Sequence, residues 1–128
     1  MTNSGFEYLF RNSLRTDNEK KVIIMLHGYG SNEYDLFSLS ENINSNYLII
    51  SIRACVEMGE ESYCWWPLSI DNQMKLVMDF SQARSSIKSL NDFIMNELAD
   101  KFKFSANEIY LLGFSQGCMI SYALSINY

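Results

Sequence analysis

Near the end of the 128-residue chain, Gly113-Phe114-Ser115-Gln116-Gly117 has the residue types and spacing of a serine nucleophile held on a sharp turn. A neutral serine hydroxyl is a weak nucleophile. It becomes useful when a turn presents it openly and hydrogen-bond donors wait where negative charge develops. The glycines two residues to either side remove Cβ atoms that a tight strand-to-helix turn would crowd. A helix opening at Gln116 leaves its first N–H groups unpaired, beside the serine, as acyl transfer requires. A second group, His27-Gly28-Tyr29-Gly30, follows an earlier apolar run. A loop there can aim a backbone N–H at the same point, so Tyr29 N–H and Gln116 N–H form the expected oxyanion hole. Only the N–H of Gln116 enters this expectation, so changes to its side chain are expected to matter little.

His27 is the only histidine. It ends a strand and would have to cross to Ser115 to act as its base. No Cys, His or Asp set stands near it as a metal site would demand. It is expected to be a hydrogen-bonded structural residue, and no metal is expected.

The elements that must position these groups are legible as alternating strands and helices. Residues 22–26, 48–52 and 109–112 are short, nearly continuous apolar runs, the pattern of strands buried on both faces of a parallel sheet. The last reads as a central strand paired on both sides, and residues 7–11 as an edge strand. Leu36, Leu39 and Ile43 fall at helical spacing, with Ser31 or Asn32 available as N-cap. Ala83, Ile87, Leu90, Ile94 and Leu98 make a longer stripe, opened by Asp79 and Gln82 in a capping-box arrangement. A last helix starts near Gln116. Residues 53–78 read as one long irregular loop. This order predicts a single α/β domain over residues 1–128, with right-handed crossovers.

With these blocks in place, the chain resembles the phospholipase/carboxylesterase family of α/β-hydrolases, which includes acyl-protein thioesterases and small bacterial carboxylesterases. LHGYGSNEYDLFSLSENI, ISIRA, YCWWPLSID, SQARSSI and LLGFSQGCMISYALS carry the resemblance. It implies a three-layer α/β-hydrolase fold with a mostly parallel sheet. It also implies Ser115 as nucleophile, Tyr29 and Gln116 as oxyanion-hole residues, and Trp65 and Trp66 beside the acyl pocket, although two tryptophans would serve equally as core filling. The implied substrates are short- to medium-chain acyl esters, lysophospholipids or thioesters, with no cofactor. Cys55 stands where the family often has proline, and Cys118 replaces a small residue. In such hydrolases the acid and then the histidine follow the serine along the chain. None of the thirteen residues after Ser115 is Asp, Glu or His. The expectation is therefore an N-terminal part of the fold, truncated after the elbow helix, inactive and poorly soluble by itself. A non-catalytic acyl-binding pseudoenzyme and a flavodoxin-like binding domain are the alternatives. The second is weakened because the 27–32 loop lacks the spacing of a phosphate-binding fingerprint.

Composition narrows the remaining classes. A net charge of −5 without a basic cluster argues against nucleic acid as partner; the small acyl ester is the partner that the resemblance implies. No apolar run approaches the ~20 residues of a membrane span, so stable membrane insertion is not expected. The first ten residues lack the regions of a secretory signal, and three cysteines without framework spacing favour a reducing cytoplasm.

Overall fold

The computed structural model describes residues 6–14 and 21–127. In chain order, strands β1 (Tyr8–Arg11) and β2 (Val22–Leu26) precede a short helix α1 (Glu33–Phe37), which runs on into a 3-10 turn. After β3 (Leu48–Ile52) come two hairpins, β4 (Val56–Gly59) with β5 (Ser62–Cys64) and β6 (Leu68–Ile70) with β7 (Leu76–Met78). Helix α2 (Phe80–Asp92) continues through a π-helical stretch (Phe93–Leu98) into α3 (Ala99–Phe102). Strand β8 (Ile109–Gly113) and helix α4 (Gln116–Asn127) follow.

The main sheet has the order β1-β3-β2-β8; β3, β2 and β8 are parallel and β1 is antiparallel at one edge. From β2 the chain crosses first to one side, through α1 to β3, and later to the other, through α2 to β8. Right-handed crossovers in opposite directions place their helices on opposite faces of the sheet. The contacts agree. Ser51 Oγ donates to the Glu33 carbonyl at 2.6 Å on the α1 face, whereas Ile24, Ile50 and Leu26 join Leu90, Ile94, Ile120 and Leu124 in the core beneath α2 and α4. The result is three layers with unequal helical cover.

β2 and β3 are buried as their apolar runs predict. β8 is not. It pairs with β2 alone among the described residues, and Tyr110 and Leu112 are 54% and 36% exposed. An apolar run signals a strand able to be covered twice, but α1 is five residues long and packs over β1, β2 and β3. Residues 53–78 also depart from expectation, forming the two hairpins. Their turns carry positive φ at Glu61 (53°) and Met74 (63°), so the usual Asn-Gly or Asp-Gly signal is absent. Asp71 instead closes the second turn, its Oδ1 accepting from Gln73 and Lys75 N–H at 2.8 and 2.9 Å. In the long helix Ile87 is only half-buried, and Ser86 and Phe93 join Ala83, Leu90, Ile94 and Leu98 in the buried stripe.

At the carboxyl edge, the sheet is tied to its surroundings by His27, which is fully buried. Its Nε2 accepts from Ala54 N–H at 3.0 Å, and Nδ1 lies 2.8 Å from the Gly28 carbonyl, so the ring is neutral with its proton on Nδ1. Burial pushes the imidazole below its ordinary value, with the Gly28 carbonyl and Glu33 opposing only in part.

Two expectations follow for stability. Asp79 caps α2 by accepting from Ser81 and Gln82 N–H, so Asp79→Ala should cost about 1 kcal/mol in urea unfolding. His27 remains neutral in the folded chain at pH values where the unfolded chain's histidine, with a pKa near 6.5, takes a proton. Stability should therefore decline as pH is lowered from about 7.5 to about 5.5, seen as a falling Tm. The decline should be shallower in His27→Ala; an equal slope would show that other groups govern it.

Candidate active site

Parallel register brings three chain segments out of the sheet side by side. Leu26 lies opposite Ile52 on one side and Gly113 on the other. The His27–Gly30 loop, the Arg53–Ala54 segment and the 113–117 turn thus leave the same edge, where β2 is the point of strand-order reversal. Open α/β sheets place their sites at this crevice.

The 113–117 turn is a true elbow. Ser115 has φ 57°, a left-handed conformation that a non-glycine residue adopts only when its surroundings enforce it. The enforcing contacts are backbone to backbone. A Cβ on Gly117 would sit 1.9 Å from the Leu26 carbonyl oxygen, and one on Gly113 would sit 2.3 Å from the Gly117 oxygen. Neither neighbour can move aside as a side chain would. Phe114 N–H donates to the Leu26 carbonyl at 3.2 Å, and the Ser115 carbonyl accepts from Cys118 and Met119 N–H as α4 begins. The Ser115 side chain is left exposed, with no hydrogen-bond partner among the described residues.

Gly28 packs against this elbow: a Cβ there would lie 3.1 Å from both Ser115 Cβ and the Phe114 oxygen. The next N–H along the loop belongs to Tyr29. Neither Tyr29 N–H nor Gln116 N–H has an acceptor among the described residues. The peptide that carries Tyr29 N–H is held by its own carbonyl, since Gly28 O accepts from His27 Nδ1–H and from Ser31 N–H at 3.1 Å. Because a trans peptide is planar, fixing the carbonyl aims the N–H the opposite way.

Outside the loop stands the β4–β5 hairpin. Gly30 N–H donates to Tyr63 O and Tyr63 N–H to Ser31 O, both at 2.8 Å, and Gly30 takes φ 81° to permit it. Behind it, Arg53 donates to both Glu33 oxygens at 2.6–3.0 Å and lies 4.6 Å over the Tyr63 ring. Burial raises the Glu33 carboxyl, but the Arg53 hydrogen bonds and charge outweigh it and hold the group below its ordinary value. No residue of this pair was singled out from the sequence, because a lone Glu and Arg twenty positions apart carry no motif.

Two sequence expectations meet a different arrangement. Trp65 and Trp66 are 0% and 2% exposed, packed into the core instead of lining an open acyl surface. Trp65 Nε1–H donates to the His27 carbonyl at 2.9 Å; Trp66 Nε1 is buried without a partner among the described residues. Gln116 is also more than a backbone donor. Its side chain is buried, with Oε1 accepting from Trp65 N–H at 2.8 Å and Nε2 donating to the Trp66 carbonyl at 2.9 Å. His27, with both ring nitrogens engaged, has no lone pair left for the Ser115 proton, in keeping with a structural role.

Comparisons with known proteins give the family and the fold. Residues 13–128 match the family described as Phospholipase/Carboxylesterase. MhqD of Bacillus subtilis (strain 168) is 30% identical over 108 residues, covering 84% of this chain and 50% of that protein. The crystal structure of the Bacillus cereus carboxylesterase superposes with a TM-score of 0.77 at 29% identity, over 95% of this chain and 54% of that one. The Mesorhizobium loti carboxylesterase, at 20% identity, shares the fold with a TM-score of 0.77 over 100% of this chain and 57% of that one. The chain thus spans about half the length of these relatives. With the family match running over the whole elbow and both loops beside it, the chain belongs to the phospholipase/carboxylesterase family and has the sheet and elbow of its α/β-hydrolase fold.

Proposed function

We propose that the whole protein is a serine hydrolase of carboxylic esters, with Ser115 as the nucleophile and the N–H groups of Tyr29 and Gln116 as oxyanion donors. The observation that carries this reading is the left-handed Ser115 on an exposed elbow, held there by backbone contacts that admit no Cβ at Gly113 or Gly117. Strain of this kind is retained where presenting a side chain matters. In the proposed reaction Ser115 Oγ bonds to the acyl carbon and gives its proton to a base. The tetrahedral oxyanion sits against the two N–H groups. The alkoxide or thiolate then leaves with a proton, and water releases the acid from the acyl-serine. The base is not His27, whose ring is committed to Ala54 and Gly28.

The substrates proposed are short- to medium-chain acyl esters, lysophospholipids or acyl thioesters, and no cofactor takes part. These follow from the family resemblance and from a site built of backbone donors. Trp65 and Trp66 enter as buried supports of the acyl-pocket side rather than as its surface. A small acyl ester remains the proposed partner, in a cytoplasmic setting that suits three free cysteines. No helix among the described residues is long and apolar enough to cross a membrane.

Ser115→Ala in the whole protein should lower turnover of a p-nitrophenyl short-chain ester by about a millionfold at unchanged Tm. Turnover equal to the parent protein would remove Ser115 from the chemistry. Gly28→Ala brings a methyl to within contact of Ser115 and displaces the Tyr29 N–H by a few tenths of an ångström. Its kcat should fall roughly tenfold to a hundredfold with KM little changed. An unaltered kcat in a folded variant would argue that Tyr29 N–H is not a donor.

A further inference from the structure

We infer that the Gln116 side chain is a positioning residue, clamping the Trp65–Trp66 backbone to the elbow and so fixing the separation of the two oxyanion donors. This rests on the reading of Tyr29 N–H and Gln116 N–H as those donors, and adds a role for the side chain that the reading itself does not contain.

The geometry forms a continuous path between the donors. From Gln116 the amide grips two consecutive backbone groups, Trp65 N–H and the Trp66 carbonyl. From Trp65 the indole N–H reaches the His27 carbonyl. From His27 the ring reaches Gly28 O, the carbonyl of the very peptide that presents Tyr29 N–H. The same ring accepts from Ala54 N–H and lies 5.4 Å, centroid to centroid, from the Trp65 indole. Gln116, Trp65 and His27 are 3%, 0% and 0% exposed, so water does not compete for any of these bonds. Elsewhere the two donor loops meet through the Phe114 N–H bond to the Leu26 carbonyl at 3.2 Å, the approach of Gly28 to Phe114 and Ser115, and the close approach of Gly117 to Leu26 and His27. The hydrogen bond ties the two segments at the base of the turn, and the glycine approaches set a minimum distance above it. Hydrogen bonds through Trp65 set the spacing from the other side as well.

A side chain that must accept from one backbone group and donate to the next narrows the choice. Glutamine has one oxygen and one NH2 at the right reach. A neutral glutamic acid also has one acceptor and one donor, whereas a carboxylate would face the Trp66 carbonyl with no proton to give. Alanine supplies neither bond and leaves two buried backbone groups unpaired.

The test is therefore a pH profile. Burial against a backbone carbonyl raises the carboxyl pKa of a Gln116→Glu variant. The whole protein is assayed with a p-nitrophenyl ester, and kcat is expressed as a ratio to the parent protein at each pH. The Gln116→Glu ratio should lie within about threefold of one near pH 5.5 and fall at least about tenfold by pH 8.5. KM should change little, and indole fluorescence should shift with the same midpoint. Gln116→Ala should lose at least about tenfold in kcat at every pH. A ratio that is flat with pH overturns the proposal, as does a Gln116→Ala kcat within threefold of the parent. So does a Gln116→Glu protein that fails to fold even at acidic pH, because the neutral acid supplies both bonds. If the parent protein hydrolyses no ester, the functional reading fails; the clamp still stands or falls on the fluorescence transition.

Discussion

The N-terminus of α4 rests directly on the last carbonyl of β2, and the rest of the edge is arranged around that contact. A Cβ on Gly117 would overlap the Leu26 oxygen at 1.9 Å, far inside any tolerated separation, and the obstacle is main chain. Rotamer changes cannot relieve such a clash, so the strand-helix geometry exists only with glycine at that position. From this approach follow the abrupt turn at Phe114, the left-handed Ser115, and the start of the helix with only those two residues between it and the strand's end. The parallel register then does the remaining work of assembly, because Leu26, Ile52 and Gly113 are level across three strands.

Around this apolar and steric frame sits a set of buried polar groups, most of them paired in a specific direction. His27 accepts from one backbone and donates to the next; Gln116 does the same with Trp65 and Trp66; Glu33 and Arg53 pair behind the loop. Buried polar pairs of this kind contribute little net stability compared with apolar packing, since most of their attraction offsets lost hydration. What they do supply is orientation. A methionine in place of Gln116 could fill the volume, but it could not dictate where the Trp65 amide points. The peptide planes that carry Tyr29 N–H and Gln116 N–H are each held through their carbonyls. A site made of main-chain donors thus needs side chains to aim the main chain.

The layers on the two faces of the sheet are unequal, and this bears on how the elbow is supported. The α2–α4 side carries the larger core, with Leu90, Phe93, Ile94, Leu98, Ile120 and Leu124 closing over β2 and β3. Among the described residues the opposite face has only α1 and its 3-10 extension, tied down by the Ser51 hydroxyl and the Arg53–Glu33 pair. The loop that carries Tyr29 leads into this thinner layer. Its rigidity comes from the β4–β5 hairpin and from His27 rather than from apolar burial.

Local pattern in the chain by itself determined the strand-helix alternation, the parallel strands β2 and β3, the edge strand β1, the Asp79 cap and the glycine-bounded serine turn. Each of these depends on neighbours in sequence: apolar runs, capping side chains, the absence of a Cβ. The tertiary structure alone decided what depends on partners far along the chain. The hairpins within residues 53–78 have Glu61 and Met74 in turn positions that announce nothing, and the β4–β5 hairpin is anchored from outside, on Gly30 and Ser31. Burial of Trp65 and Trp66 was open in the sequence, where an aromatic pair suits a pocket wall and a core equally well. The exposed face of β8 likewise depends on where α1 ends. Gln116 was visible as a motif residue with a useful N–H, but its side-chain partners lie fifty positions earlier. Spacing along a chain encodes backbone shape; which buried groups a side chain must satisfy is settled only when distant segments pack together.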